Sequence, residues 1–92
     1  MQFKKELRDL VKSGEVTKSV RIWKSQRVKV GNSYSLSPGR IVVESVHRIG
    51  IEDITPSLAR ETGFAGLASL LKTASHGDGE NVYLIQFHYE EG

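Results

Sequence analysis

The chain has 92 residues, a length that fits one domain over residues 1–92 with a single modest core. It contains no cysteine, which excludes disulfides, thiolate zinc sites and a cysteine nucleophile. The three histidines, His47, His76 and His88, lie far apart without metal-ligand spacing, so we expect no metal and no other cofactor. No apolar run approaches the roughly 20 residues that span a bilayer, and we find no signal-peptide pattern. We therefore expect a cytoplasmic protein without a membrane partner.

Charge is distributed unevenly along the chain, although the net charge is only +2. Residues 1–31 carry nine basic and three acidic residues, a net charge of +6, and the remainder carries four basic and eight acidic residues, or −4. Such asymmetry suggests an anionic partner, most commonly nucleic acid. The alternative is that the basic residues form a solvated helix and loop with no partner.

The first element in the chain is an amphipathic basic helix, predicted over residues 2–12. Its apolar side chains recur at helical spacing, at Phe3, Leu7, Leu10 and Val11. Ser13-Gly14 ends the helix, because glycine readily adopts the left-handed conformation of a helix cap.

An alternating strand follows, over residues 16–23. One face carries Val16, Lys18, Val20 and Ile22, and the other carries Thr17, Ser19, Arg21 and Trp23. A core needs only the apolar face of such a strand. The hydroxyl, guanidinium and indole on the second face would suit a planar, anionic ligand.

A basic loop over residues 24–32 leads into a hairpin. A short strand over residues 33–37 is followed by a Ser-Pro-Gly turn and by a long β-branched strand over residues 40–51. We expect the long strand to bend or bulge near Glu44-Ser45.

Two short helices and a final strand complete the chain. The first helix begins with Thr55 as its N-cap and Pro56 in its first turn, and it ends at Gly63. The second spans residues 65–74, and a polar connector follows at residues 76–79. The last strand, residues 81–88, is apolar on both faces and therefore belongs in the middle of a sheet. Short strands with outer helices indicate an α+β class, a small barrel with flanking helices.

The motifs occur in an order that is typical of one family. They are the basic helix, Ser-Gly at 13–14, Thr-x-Ser-x-Arg at 17–21, the basic loop, Val-Gly-Asn-Ser-Tyr at 30–34, the hairpin, Ile-x-Asp-Ile-Thr-Pro at 51–56, Gly-Phe at 63–64 and Val-Tyr-Leu-Ile-Gln-Phe at 82–87. This set resembles an ASCH domain of the PUA-like superfamily of small β-barrels. The resemblance covers residues 3–88 and implies a cleft, between barrel and helix, that holds RNA or a nucleobase.

Some ASCH-like proteins are small amidohydrolases that cleave N4-acylated cytidine with a lysine, a hydroxyl and a glutamate. The resemblance implies that Ser19 would supply the hydroxyl, and Lys18 and Glu61 are the nearby candidates for the other two groups. The lysine position itself falls on Val16, and the glutamate position falls near Thr62. Side chains 18 and 19 also point to opposite faces of a regular strand, which is poor geometry for a nucleophile and its base.

Three classes of function remain open. The first is an RNA- or nucleobase-binding module in which Arg21 contacts phosphate or a base edge and Trp23 stacks on a base. Phosphates would be contacted by the loop cations, namely Lys24, Arg27 and Lys29. The second is a hydrolase acting on an acylated nucleoside, or a ribonuclease. The third is a protein-interaction module that uses the acidic C-terminal part, and the oligomeric state is open in all three.

Trp23 and Arg21 each have a structural alternative. Trp23 could seal the end of the barrel as a core or rim residue. Arg21 could pair with Glu44 or Glu61, and Ser19 could be an ordinary strand hydroxyl satisfied by water or backbone.

Overall fold

A curled antiparallel sheet of four strands forms a half-barrel at the centre of the protein, in the strand order β1-β4-β3-β2. The computed structural model describes residues 3–75 and 79–91. The strands are Lys18–Trp23 (β1), Ser33–Leu36 (β2), Gly39–Ile49 (β3) and Asn81–Glu90 (β4). The helices are Lys5–Ser13 (α1), Pro56–Glu61 (α2) and Leu67–Ala74 (α3), with one 3₁₀ turn at Ile51–Asp53. The α+β class is therefore confirmed, and the predicted barrel is observed as a half-barrel.

Strand β4 lies between β1 and β3, as its two apolar faces predicted. On one face Tyr83, Ile85 and Phe87 pack in a core cluster with α1. On the other, Val82 and Leu84 pack in a second cluster with α2 and α3. We call these two sides of the sheet the α1 face and the α3 face.

The hairpin and the irregularity of β3 were both predicted. Strands β2 and β3 pair with Leu36 opposite Gly39, so Ser37 and Pro38 form the turn. The register of β3 against β4 shifts between Val43 and Ser45, which is a bulge at Glu44.

Local signals correctly placed the C-terminal end of α1 and both ends of α2, whereas α1 begins at Lys5, three residues later than predicted. Gly14 caps α1 with φ +85°. Thr55 Oγ1 accepts a hydrogen bond from the backbone N–H of Leu58 at 3.1 Å, and Pro56 is the first residue of α2. Gly63, with φ +94°, follows the end of that helix.

Two expectations about the first strand are corrected. The strand begins at Lys18, two residues later than predicted, and Val16 packs in the α1-face cluster rather than with Val20. The reason is that Val16 precedes the regular ladder, so alternation does not determine its side.

The predicted connector at 76–79 lies outside the described residues, except for Gly79, and so does the predicted start of the first helix at residue 2. In the described parts of the chain, no helix is long and apolar enough to cross a membrane.

Candidate functional site

Within the described residues, one edge of β1 has no strand partner apart from a single parallel bridge between Ile22 and Ser75. The backbone N–H of Phe87 donates to the carbonyl of Thr17 at 3.0 Å. Because hydrogen-bonded and non-hydrogen-bonded pairs alternate along an antiparallel ladder, Ser19 and Arg21 direct their backbone groups towards β4. The N–H and C=O of Val20 therefore point to the open edge of the sheet.

A cleft lies along this open edge, between α1 and the α2–α3 pair. Ser19, Val20 and Arg21 form its floor. The two walls are formed by Phe3, Lys4 and Leu7 on one side and by Thr62, Phe64, Thr73 and Ala74 on the other. Its cavity measures about 30 Å³, which is room for about one water molecule. A nucleobase would therefore enter only if a wall of the cleft moved.

Ser19 and Arg21 interact within this cleft. Arg21 Nε donates a hydrogen bond to Ser19 Oγ at 2.9 Å, and the guanidinium lies 5.0 Å from the centroid of the Phe3 ring. This is a cation–π distance. Ser19 is buried and Arg21 is partly buried, and this burial lowers the pKa of Arg21 from its ordinary value. The side chain thus holds a partly dehydrated positive charge in a fixed orientation.

Thr73 adds a hydroxyl to the wall of the cleft. Its Oγ1 atom is buried and has no hydrogen-bond partner among the described residues. A buried polar atom without a partner is costly, so a water molecule or a ligand in the cleft would be stabilised by bonding to it. Thr62, by contrast, satisfies its own hydroxyl by donating to the carbonyl of Ala59 at 2.8 Å.

Trp23 is a core residue, which was the structural alternative to a role in stacking on a base. It is only 5% exposed and belongs to the α1-face cluster, where its ring lies 5.7 Å from that of Tyr83. The indole therefore packs in the core and is not presented to solvent. The face of β1 that looked polar in sequence therefore carries a core residue at its end.

The basic loop lies on the same side of the sheet as α1. Val28, which is 3% exposed, anchors the loop in the α1-face cluster. The carbonyl of Lys24 accepts a hydrogen bond from Asn81 Nδ2 at 2.9 Å. The side chains of the three predicted loop cations, Lys24, Arg27 and Lys29, are exposed. Because Val28 of the loop and the apolar side chains of α1 pack in the same cluster, the basic loop and the basic helix lie on one face of the sheet.

The three predicted hydrolytic residues are only partly brought together. Lys18 Nζ lies 3.9 Å from Glu61 Oε2 on the α3 face. Ser19 belongs to the cleft and accepts its hydrogen bond from Arg21. The ladder from Lys18 to Trp23 is continuous, without the bulge that would turn side chains 18 and 19 to one side.

An ionic network on the α3 face was not found by sequence reasoning. His88 Nδ1 lies 2.8 Å from Glu44 Oε2, and His88 Nε2 lies 2.9 Å from Glu90 Oε2. Arg40 also bonds to Glu90, at 2.7 Å. The hydrogen bonds that His88 donates to Glu90 and Glu44 raise the pKa of His88, and the hydrogen bonds that Glu90 accepts from His88 and Arg40 lower the pKa of Glu90. If the second strand of the hairpin had been paired with the last strand from the sequence alone, Arg40 would have fallen opposite Glu90.

Glu44 is thus engaged with His88, and Glu61 lies beside Lys18. Within residues 3–75 and 79–91, no group of histidines and carboxylates is arranged to hold a metal ion.

Comparison with known proteins gives no match: no family model matches the sequence, and no curated protein or solved structure is similar enough to count as a relative.

Proposed function

We propose that this protein is an RNA- or nucleobase-binding domain of the PUA-like type, similar to ASCH domains. Arg21 is the residue that binds the ligand, by paired hydrogen bonds to a phosphate or to a base edge in the cleft. The observation that carries this proposal is the guanidinium itself, partly buried and oriented by Ser19 and Phe3. A cation held in one orientation loses less entropy on binding than a mobile surface cation does.

The distribution of positive charge supports a nucleic acid over a small anion. Helix α1 and the loop at 24–32 both pack on the α1 face and present exposed basic side chains there. A single strand of RNA that passes the cleft would meet this surface with its phosphates. Lys24, Arg27 and Lys29 then contribute affinity without sequence preference.

The backbone of Val20 supplies a means of reading a base. Its N–H and C=O lie on the open edge next to Arg21, so they form a donor and acceptor pair at the cleft. An unstacked base presents complementary groups on its Watson–Crick edge. Because the cavity is too small for a base as it stands, we propose that binding widens the cleft.

The first experiment measures binding of a labelled short single-stranded RNA by fluorescence anisotropy, at several salt concentrations. We expect Arg21→Gln to weaken binding about tenfold, the size expected when a specific arginine contact is lost. The matched control is Arg40→Gln, which removes the same charge from the α3 face, and it should change the affinity by less than about twofold. Equal losses of affinity in both variants would show that only the net charge of the protein matters, which would contradict a specific role of Arg21. If the wild type does not bind RNA at all, the proposal is refuted.

A small amidohydrolase is the second candidate, favoured by the proximity of Lys18 and Glu61. Incubation with N4-acetylcytidine tests it directly, since hydrolysis releases cytidine and acetate. Turnover that is lost in Lys18→Met and Ser19→Ala would support this candidate. We expect no turnover, because Ser19 and Lys18 lie on opposite sides of β1.

A further inference from the structure

Strand β3 has an open edge beyond the end of the hairpin. Strand β2 pairs with β3 only as far as Val42, and the next residue, Val43, bonds through its N–H and C=O to Asn32 and Gly31. The segment Ser45–Ile49 pairs with β4 on one side. On its other side, no backbone hydrogen bond joins it to any part of the chain that the structure describes.

The register shows which groups this edge presents. Residues 83, 85 and 87 of β4 direct their backbone groups to β1, so residues 82, 84 and 86 direct theirs to β3. Opposite these lie Ile49, His47 and Ser45. The N–H and C=O of Val46 and Arg48 therefore point outward. The outward bonds of Val43, which faces Phe87, agree with this assignment.

We propose that this edge is a homodimer interface, in which β3 of one copy pairs antiparallel with β3 of a second copy. Two outward residues separated by one residue are complementary to themselves under a two-fold axis. With the axis at His47, Val46 of each copy lies opposite Arg48 of the other. Both pairs are then of the hydrogen-bonded kind, and the two half-barrels share one continuous sheet.

The ends of the segment fit the same register. Because the bulge at Glu44 places Val43 and Ser45 at adjacent positions of the ladder, Gly50 would fall opposite Val43 of the second copy, where Gly31 and Asn32 of that copy already lie. The strand ends at Ile49, and the chain turns at Gly50 into the 3₁₀ helix Ile51–Asp53. The proposed pairing is therefore limited to residues 45–49 of each copy.

Two exposed apolar side chains mark the ends of the proposed interface. Among the described residues, the large apolar side chains that are most exposed are Val30, at 60%, and Ile51, at 61%. The register brings Ile51 of one copy beside the segment at residue 30 of the other. Burial of both side chains against each other would stabilise the dimer, since each one removes apolar surface from water.

The charged side chain on this edge does not obstruct pairing. Arg48 donates a hydrogen bond from Nη2 to Asn81 Oδ1, so its guanidinium lies over β4 rather than beyond the edge. His47 is exposed on the α3 face and lies opposite its own counterpart in the dimer. Directly opposed side chains of a non-hydrogen-bonded pair are close, with Cα atoms about 4.5 Å apart.

The experiment uses charge at this position, because the two copies of residue 47 face each other. The wild type should show a mass that rises with concentration from 10.2 kDa towards twice that value in sedimentation velocity. In His47→Lys and in His47→Glu, like charges meet across the axis, and we expect the dissociation constant to rise about tenfold or more. An equimolar mixture of the two variants should restore dimerisation, with the heterodimer as the main species in native mass spectrometry.

Ser35→Lys and Ser35→Glu are the matched controls, since Ser35 is exposed on the other strand edge, at β2. They should dimerise as the wild type does. A wild type that stays at 10.2 kDa at every concentration would overturn the proposal. So would His47 variants that dimerise normally, or a mixture in which the heterodimer does not form preferentially. Circular dichroism of each variant verifies that the fold is retained.

Discussion

Gly63 sets the distance between the two walls of the cleft. Its φ of +94° is in the left-handed region, and a Cβ atom there would lie 2.5 Å from Leu7 Cδ2 and 3.2 Å from Val16 Cγ2. The junction of α2 and α3 therefore packs directly on α1. A side chain at this position would separate the walls, and so the glycine serves both the turn and the contact.

We predict that Gly63→Ala destabilises the protein by about 3 kcal/mol, from backbone strain together with displacement of Leu7. Gly14→Ala is the matched control, because its φ is +85° but no atom lies within 4 Å of the added Cβ. That substitution should cost only about 1 kcal/mol. Urea denaturation measures both free energies of unfolding, and equal losses would contradict the contact between the two walls.

Ser19 and Arg21 show what a residue pattern can and cannot predict. Strand alternation correctly placed the two side chains on one face, because that relation is local. Phe3 and Thr73, which complete the cleft, come from distant parts of the chain. No local signal links these positions to the strand, so their part in the site was missed. The burial of Trp23 has the same cause, since Tyr83, on which its ring packs, lies far away in the sequence.

At the scale of elements, the ionic network fastens β3 to β4 where α2 and α3 do not cover the sheet. His88 and Glu90 on β4 bond to Glu44 and Arg40 on β3. The raised pKa of His88 means that its contribution to stability is complete below the ordinary pKa of 6.5 and is lost as the pH rises through the raised value. The lowered pKa of Glu90 means that its contribution is present above 4.5 and is lost as the pH falls through the lowered value.

Both contributions are therefore complete between pH 4.5 and 6.5. We predict that His88→Gln reduces the free energy of unfolding most within this window and by less at about pH 9. The loss should be small and should decrease with added salt, because the network is exposed. Denaturation of both proteins across the pH range measures it. Ser35→Ala should follow the wild-type profile, and a loss for His88→Gln that did not change with pH would contradict the assignment.

The elements themselves were largely predictable from short-range signals. Thr55 and Pro56 fixed the start of α2, and the apolar faces of β4 fixed its central position. The bulge at Glu44 was also anticipated. What could not be read was the extent of the ladders, since the start of β1 depends on where β4 provides a partner. For this reason Val16 was assigned to the wrong face.

At the scale of the whole molecule, the fold converts an uneven sequence charge into two different surfaces. The α1 face carries the basic helix and the exposed loop cations. The α3 face carries the network in which Glu44 and Glu90 bracket His88. Nucleic acid should therefore approach the α1 face, and the proposed dimer edge at Ser45–Ile49 lies away from the cleft, across the sheet from β1.

Mapping the RNA contact on the protein tests the central claim most directly. In a two-dimensional amide NMR titration with a short single-stranded RNA, we predict shifts at residues 3–7, at 19–21 and in the loop at 24–30. The amides of Ser37 and Gly39 in the hairpin turn and of residues 88–90 should remain unchanged. Shifts concentrated at those control positions, or no shifts at all, would contradict the assignment of the cleft and the α1 face as the RNA-binding surface.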